Sequence, residues 1–283
     1  MQMKYGFIIP DGDTHSIPQL AVEAEAAGWD GVFIPDCIAI DTESTGPLPA
    51  YDPWILLGVI AARTEHIRFG TMLTPPSRRR PWKLARETVT LDRLSNGRLI
   101  LPVGSGAAGD DAGFYKVGEE MDLKTRAQIL DESLDILNGL WSGKPFSYDG
   151  EHYHVQQMTL LPAPIQSPRI PIWVVGAWPS MKSMRRVLRW DGLLPTKKDA
   201  ANHPMTPDDI RAMKAFIDEN RSLTTPFDII CEGETPGDDR EQAASIVRPW
   251  AEAGATWWME ARWGNVSKED VELRIRQGPP RIE

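Results

Sequence analysis

Eight short apolar runs, most of them separated by segments with helical spacing, set the strongest limit on what this 283-residue chain can fold into. They are YGFIIP (5–10), GVFIP (31–35), IRFGTML (67–73), LILPVG (99–104), PIWVVG (171–176), GLLPT (192–196), FDIICEG (227–233) and TWWMEAR (256–262). A strand covered on both faces reads as continuously apolar, and parallel strands need a crossover of a dozen or more residues, commonly a helix. Eight such strands fit a closed (β/α)8 TIM barrel; a six-stranded doubly wound sheet leaves two runs unexplained. The length agrees, since α/β barrels often run to about 250 residues as one unit. The expectation is therefore one domain over residues 1–283.

The intervening segments carry helix signals. Ser16 with Gln19 three residues on reads as a capping box opening a helix that Gly28 closes. Asp52-Pro53 reads as an N-cap followed by proline at the first helical position. Trp82 to Leu94 keeps helical spacing, and Ser95-Asn96-Gly97 stops it. From Lys124 to Trp141, Ala127, Leu130, Leu134, Leu137 and Trp141 step by three and four. Residues 142–171 break the rhythm with a hairpin around Asp149-Gly150 and a proline-studded return, read as an insertion between the fourth and fifth strands. Later helices are expected over Ser180–Trp190, Pro207–Asn220 and Arg240–Ala253.

A net charge of −9, with no basic block beyond Arg78-Arg79-Arg80, argues against a nucleic-acid partner and for a small-molecule one. No apolar stretch approaches the ~20 residues that cross a bilayer, so no membrane partner is expected either. The first residues lack a signal-peptide core and run into a strand, which points to the cytoplasm. Cys37 and Cys231 form no CxxC pair and read as free thiols. The pair His152 and His154 reads as hairpin residues, and no metal site is expected.

Barrel enzymes draw their reactive groups from the C-terminal ends of the strands. Asp36 and Cys37 stand at such an end, directly after GVFIP. A buried packing role for the thiol, and pairing of the acid with a nearby base, are the alternatives.

Several stretches together carry a family resemblance: YDPWILLGVIAARTEHIRFGTML (51–73), LARETVTLDRLSNGRLILPVGSG (84–106), LDESLDILNGLWSGKPFSYDGEHYHV (130–155), and IPIWVVGAWPS (170–180) followed by WDGLLP (190–195). They resemble the bacterial luciferase-like family of flavin-dependent monooxygenases and reductases using the deazaflavin coenzyme, on a (β/α)8 barrel with an insertion. The resemblance spans about residues 4 to 195. It implies an acid then a histidine after the second strand, where this chain has Asp36 and Cys37; the thiol is thus the candidate catalytic group and Asp36 a cofactor-side residue. It implies backbone against the flavin ring at Thr71, Met72 and Leu73, with a non-proline cis bond at Met72-Leu73, and again at Gly104, Ser105 and Gly106. Pro102 stands where members often have glycine, and Ala107 where some deazaflavin enzymes carry a glutamate. It implies a phosphate site over GAWPSMKS, Gly176 to Ser183, with Gly176, Ala177 and Trp178 best placed, Ser180 as a hydroxyl donor, Pro179 in the first helical turn and Leu194 on the other side; an ordinary capped helix is the alternative. The basic run 78–80 stands where members have a shorter basic-proline motif; a solvated loop is the reading for most of it.

The resemblance implies an oxidoreductase, in the first place a monooxygenase using reduced FMN and oxygen on a small organic substrate, supplied by a separate flavin reductase. The alternatives are a deazaflavin-dependent hydride-transfer enzyme and, from another class, a flavin-binding protein without turnover. A homodimer is implied as well. Loops 38–50, 107–123 and 196–206 are expected to set the substrate and to be mobile surface.

Overall fold

The computed structural model describes residues 2–42, 46–106, 113–198, 203–264 and 267–282. Strands occupy the places of the apolar runs: β1 (Lys4–Ile8), β2 (Gly31–Ile34), β3 (Arg68–Thr71), β4 (Leu101–Val103), β5 (Ile172–Trp178), β6 (Gly192–Lys197), β7 (Asp228–Gly233) and β8 (Trp257–Ala261). Helices alternate with them: α1 (Ser16–Ala26), α2 (Pro53–Arg63), α3 (Pro81–Leu94), α4 (Leu123–Trp141), α5 (Met181–Val187), α6 (Pro207–Asn220), α7 (Arg240–Glu252) and α8 (Lys268–Arg276). In the sheet the order is β3-β2-β1-β8-β7-β6-β5-β4, and parallel bridges Phe69–Leu99 and Thr74–Val103 join the two ends of that order. This is the (β/α)8 class that the apolar runs predict. Two short antiparallel pairs stand outside it, Ile40–Thr42 with Gly46–Leu48 and Phe146–Asp149 with His154–Met158. The first falls within the stretch 38–50, where a surface loop is expected.

By contacts the chain divides into two compact units, Met1–Ile34 with His66–Arg68 and Ile172–Glu283, and Pro35–Glu65 with Phe69–Pro171. The first is built on an aromatic core: Phe33, Trp173 and Trp257 lie with ring centroids 5.2–6.4 Å apart and are fully buried. Glycine makes room for them. A Cβ on Gly31 would lie 3.0 Å from Phe33 and 3.1 Å from Trp257, so a larger residue there displaces the stack. A buried polar knot ties the last helix down. Glu260, fully enclosed on β8, accepts from the amide and hydroxyl of Thr235, while Arg274 of α8 donates to the Thr235 carbonyl and hydroxyl and to the Gly278 carbonyl.

The second unit holds α2, α3, α4 and the antiparallel pair near residue 150. Buried Asp92 of α3 accepts from the amides of Ile165 and Gln166, which fixes the proline-studded return. Glu132 of α4 accepts from the amides of Glu151, His152 and Tyr153. That carboxylate explains why the turn is the four-residue loop 150–153, closed by Gly150 N to Tyr153 O, rather than a two-residue Asp149-Gly150 turn.

Local expectations fare unevenly. Asp52 caps α2 by accepting from Ile55 N with Pro53 at the first position, as the sequence predicts. The Ser16–Gln19 capping box does not form: Ser16 already belongs to the helix, Asp13 accepts from the amides of His15 and Ser16, and Gln19 reaches Glu23. Nor does Pro179 open a helix. The Trp178-Pro179 bond is cis and α5 begins two residues later, running only to Val187.

Candidate active site

In the second unit, the chain leaving β2 places Asp36 and Cys37 on a cavity of about 350 Å³. Ile38, Ala50, Tyr51, Asp52, Pro75, Arg78, Arg79 and Phe114 complete its lining. Asp36 is buried and held by two kinds of donor. Arg79 grips both carboxylate oxygens, with Nη2 2.7 Å from Oδ1 and Nε 3.1 Å from Oδ2, and the Thr74 hydroxyl donates at 3.1 Å. Thr74 in turn shares a 2.6 Å hydrogen bond with the Thr71 hydroxyl. A planar guanidinium across a carboxylate fixes orientation as well as charge. Arg78 lies over the Phe114 ring, 4.0 Å from its centroid. The basic run is therefore not a solvated loop for the most part: two of its three guanidiniums are engaged, and Arg80 alone is exposed. Sequence patterning misses this because Asp36 and Arg79 lie 43 positions apart.

Cys37 is half-exposed and lines the cavity, whereas Cys231 of β7 is buried and its thiol is pushed up to about 12, chiefly by desolvation. The Met72-Leu73 bond, expected to be cis from the resemblance, is cis. Thr71 is buried at the end of β3, with Met72 and Leu73 half-buried after it. Gly104 donates its amide to Thr74 O at 3.4 Å, Ser105 is half-buried, and Gly106 takes a left-handed φ of 81° where a Cβ would lie 3.2 Å from the Arg78 guanidinium and 3.3 Å from that of Arg126. Residues Asp36, Cys37, Thr71 to Leu73 and Gly104 to Gly106 thus all belong to one unit. Ala107 lies outside the described residues.

The remaining predicted residues belong to the first unit. Gly176 is buried in β5 facing α5, where a Cβ would collide with Leu193 and press on Val187 and Met184; its smallness serves helix packing. Ala177 donates its amide to Ser183 Oγ at 2.9 Å and accepts from Ser180 N at 2.8 Å. Trp178 packs edge-on to Phe216, and Ser180 precedes α5 without a side-chain cap. Leu194 is buried on β6, paired with Val175. Lys182 is exposed in the first turn of α5 and Arg185 in its last, and the Met184 amide donates to Ser180 O at 2.9 Å. Ser183 ends the expected stretch Gly176–Ser183 and is the residue whose hydroxyl holds the Ala177 amide. At the end of β7, desolvation raises the Glu232 carboxyl above the usual range, opposed by a hydrogen bond from Trp263. Among the described residues no group of three or more His, Cys, Asp or Glu is arranged to hold a metal ion.

Strand order and reactive groups at the strand ends define a barrel enzyme of the (β/α)8 class. The family model described as luciferase-like monooxygenase matches residues 5–278, and the chain belongs to that family. It is an oxidoreductase of the luciferase-like kind, a group using FMN or the deazaflavin coenzyme. A protein named F420-dependent glucose-6-phosphate dehydrogenase from Nakamurella multipartita is 30% identical over 237 residues, 83% of this chain and 68% of that protein. Among solved structures, the coenzyme F420 dependent tetrahydromethanopterin reductase from Methanopyrus kandleri has a TM-score of 0.74 at 17% identity, over 98% of this chain and 99% of that one. Monooxygenase RslO1 from Streptomyces bottropensis has a TM-score of 0.70 at 18% identity, over 97% of each. At such identities the two structures speak for the fold alone.

Proposed function

We propose that the chain is an oxidoreductase that uses the deazaflavin coenzyme F420 for hydride transfer to or from a small organic molecule. The observation that carries this reading is the relative that is 30% identical over 83% of the chain and named F420-dependent. The cofactor supplies the redox chemistry, and the protein supplies shape and fixed donors. Asp36, Thr71, Met72, Leu73, Gly104, Ser105 and Gly106 are the residues assigned to the ring side of the cofactor, and Gly176, Ala177, Trp178, Ser180 and Leu194 to its phosphate side. Cys37 is the candidate catalytic group, supported by its place on the cavity beside Asp36. The thiol stands where the resemblance implies histidine, so it offers a weaker proton donor.

A monooxygenase using reduced FMN and oxygen, fed by a separate flavin reductase, is the second reading; the description of the family model over residues 5–278 favours it. We further propose a cytoplasmic protein that acts as one domain and pairs as a homodimer. Among the described residues no helix is long and apolar enough to cross a membrane. Ile55 and Val59, four apart on α2, are exposed apolar groups that suit an interface.

Titration of the purified protein with F420, FMN and reduced FMN, followed by cofactor fluorescence, tests the assignment. Saturable F420 binding with hydride exchange on a panel of alcohols and ketones is expected. Preference for reduced FMN with oxygen uptake would replace the first reading by the second, and binding without turnover would make the chain a binding protein.

A further inference from the structure

We propose that Glu232, at the end of β7, is the group that gives and takes the reaction's proton at the mouth formed by β1 and β5 to β8. The proposal rests on reading the chain as an F420-dependent oxidoreductase. Ring contacts show which face of these strands points inward. Phe33 of β2, Trp173 of β5 and Trp257 of β8 stack on one another although their strands are not neighbours, so the three rings meet inside the barrel. Residues paired across parallel strands share a face, and every second residue along a strand returns to it. Met259, two beyond Trp257, therefore faces inward, and a Cβ on Gly6 of β1 would collide with its sulfur. Glu232 is paired with Met259 and faces inward with it. On β6 a Cβ at Gly192 would strike Trp173, which puts Thr196, and Ala177 paired with it, on the same inner face. Among the described residues of these five strands, the C-terminal part of the inner face carries Ile8, Ala177, Thr196, Met259 and Ala261, and Glu232 alone is ionisable there.

The other charges near these strand ends are turned elsewhere. Lys197, next to Thr196, lies on the outer face and pairs with Asp209 at 2.7 Å, and Arg262 after β8 donates to Thr235 O. Glu260 faces outward beside Arg274, Cys231 lies on the outer face of β7, and Asp11, Asp13 and Glu234 are exposed beyond the strands. Glu232 is reached by solvent and has no cationic partner among the described residues. Desolvation outweighs the hydrogen bond from Trp263 and raises its carboxyl, so the acid keeps its proton closer to neutral pH than a fully hydrated glutamate does. A carboxyl that is accessible and still poorly hydrated stands in a concave place, and strand ends of this kind are where barrel enzymes keep their reactive groups. Reduction of a C=O or C=N group takes up one proton with each hydride. Glu232 breaks its O–H bond and gives that proton to the oxygen or nitrogen, while the adjacent carbon receives a hydride, with both electrons, from reduced F420. The carboxylate regains a proton from water, and water takes up the coenzyme's remaining proton. In the oxidative direction the carboxylate removes the proton from the hydroxyl or amine.

The proton on Glu232 is read first in the cofactor-free protein. Dicyclohexylcarbodiimide attacks protonated carboxyls in poorly hydrated places, and peptide mass spectrometry locates the adduct. Glu232 should be modified faster than exposed Glu234, and its labelling should fall as pH rises through a midpoint above the ordinary 4.5. Turnover is read next, with reduced F420 and cyclohexanone or benzaldehyde as the probes. Glu232→Gln should lower kcat on the order of a hundredfold with F420 affinity unchanged, and should erase the fall in rate as pH rises past the same midpoint. Glu232→Asp keeps the acid on a shorter arm and should restore part of the rate together with its pH dependence. Labelling of Glu232 no faster than that of Glu234 at any pH overturns the proposal. So does a folded Glu232→Gln protein that keeps kcat within about threefold and the unaltered pH profile, or one that loses F420 affinity by as much as it loses rate. Failure of F420 to bind the unaltered protein would instead sink the functional reading, whereas labelling needs no cofactor and decides by itself whether Glu232 holds the proton.

Discussion

Arg98 offers the sharpest test of how the second unit holds its shape. It is 9% exposed, and its guanidinium donates to Ser95 O at 2.8 Å, Thr64 Oγ1 at 2.7 Å, Ala61 O at 2.7 Å and Thr64 O at 2.8 Å. Ala61 lies in the last turn of α2 and Thr64 is its C-cap, so a fixed cation sits where helical carbonyls lack partners and the dipole is negative. Arg98→Met keeps the aliphatic stem near Phe69 but strips three carbonyls of their charged donor. A buried acceptor left unmade costs about 1–3 kcal/mol, and partial entry of water relieves some of it, which gives about 3–5 kcal/mol in total. Arg98→Lys keeps charge at the helix end yet reaches fewer acceptors, so about 2 kcal/mol is expected from it. Urea unfolding followed by tryptophan fluorescence measures both. A loss under about 1 kcal/mol for Arg98→Met would show that water replaces the clamp at no cost, and would refute the claim that this guanidinium ties α2 to the turn before β4.

Native protein should release one equivalent of thiopyridone from 4,4′-dithiodipyridine, from Cys37, with a second appearing only on unfolding; two native equivalents would contradict the burial of Cys231. The Cys231 thiol has a folded value of about 12 against an ordinary 9.0, so the unfolded chain loses its proton first and stability falls as pH rises between those values. Cys231→Ala should remove up to about 1.4 kcal/mol per pH unit from that alkaline slope, read from urea midpoints at several pH values; identical slopes would refute the assignment. Glu132→Ala deprives the amides of Glu151, His152 and Tyr153 of their acceptor, so hydrogen exchange of those three should quicken at least tenfold while α3 stays protected. Uniform exchange across the unit would mean that the loop is not anchored there.

Patterns with a short period were legible in the sequence. Strands covered on both faces read as apolar runs, and α3 and α4 announced themselves by spacing and by Asn96-Gly97, whose positive φ values stop α3. Where a side chain from far along the chain decides, pattern fails. The loop 150–153 follows Glu132 rather than the Asp-Gly dipeptide. Ser16 is a local case instead: Asp13, three residues before it, offers a carboxylate to the amides of His15 and Ser16. The family resemblance located the cis bond at Met72-Leu73, which no local propensity would have done.

The same distinction governs the site. Position at the end of β2 marked Asp36 and Cys37 as candidates, but position cannot say whether an acid is free. Arg79 answers that by occupying both oxygens, from a run that reads as three repelling cations seeking water. The apparent conflict resolves once the partners are seen: Asp36 pairs with one guanidinium and the Phe114 face stacks on another, so the neighbouring arginines point to different partners. The cavity thus carries two acids and two bases, with the Asp36–Arg79 pair fixed in its wall and Cys37 beside it.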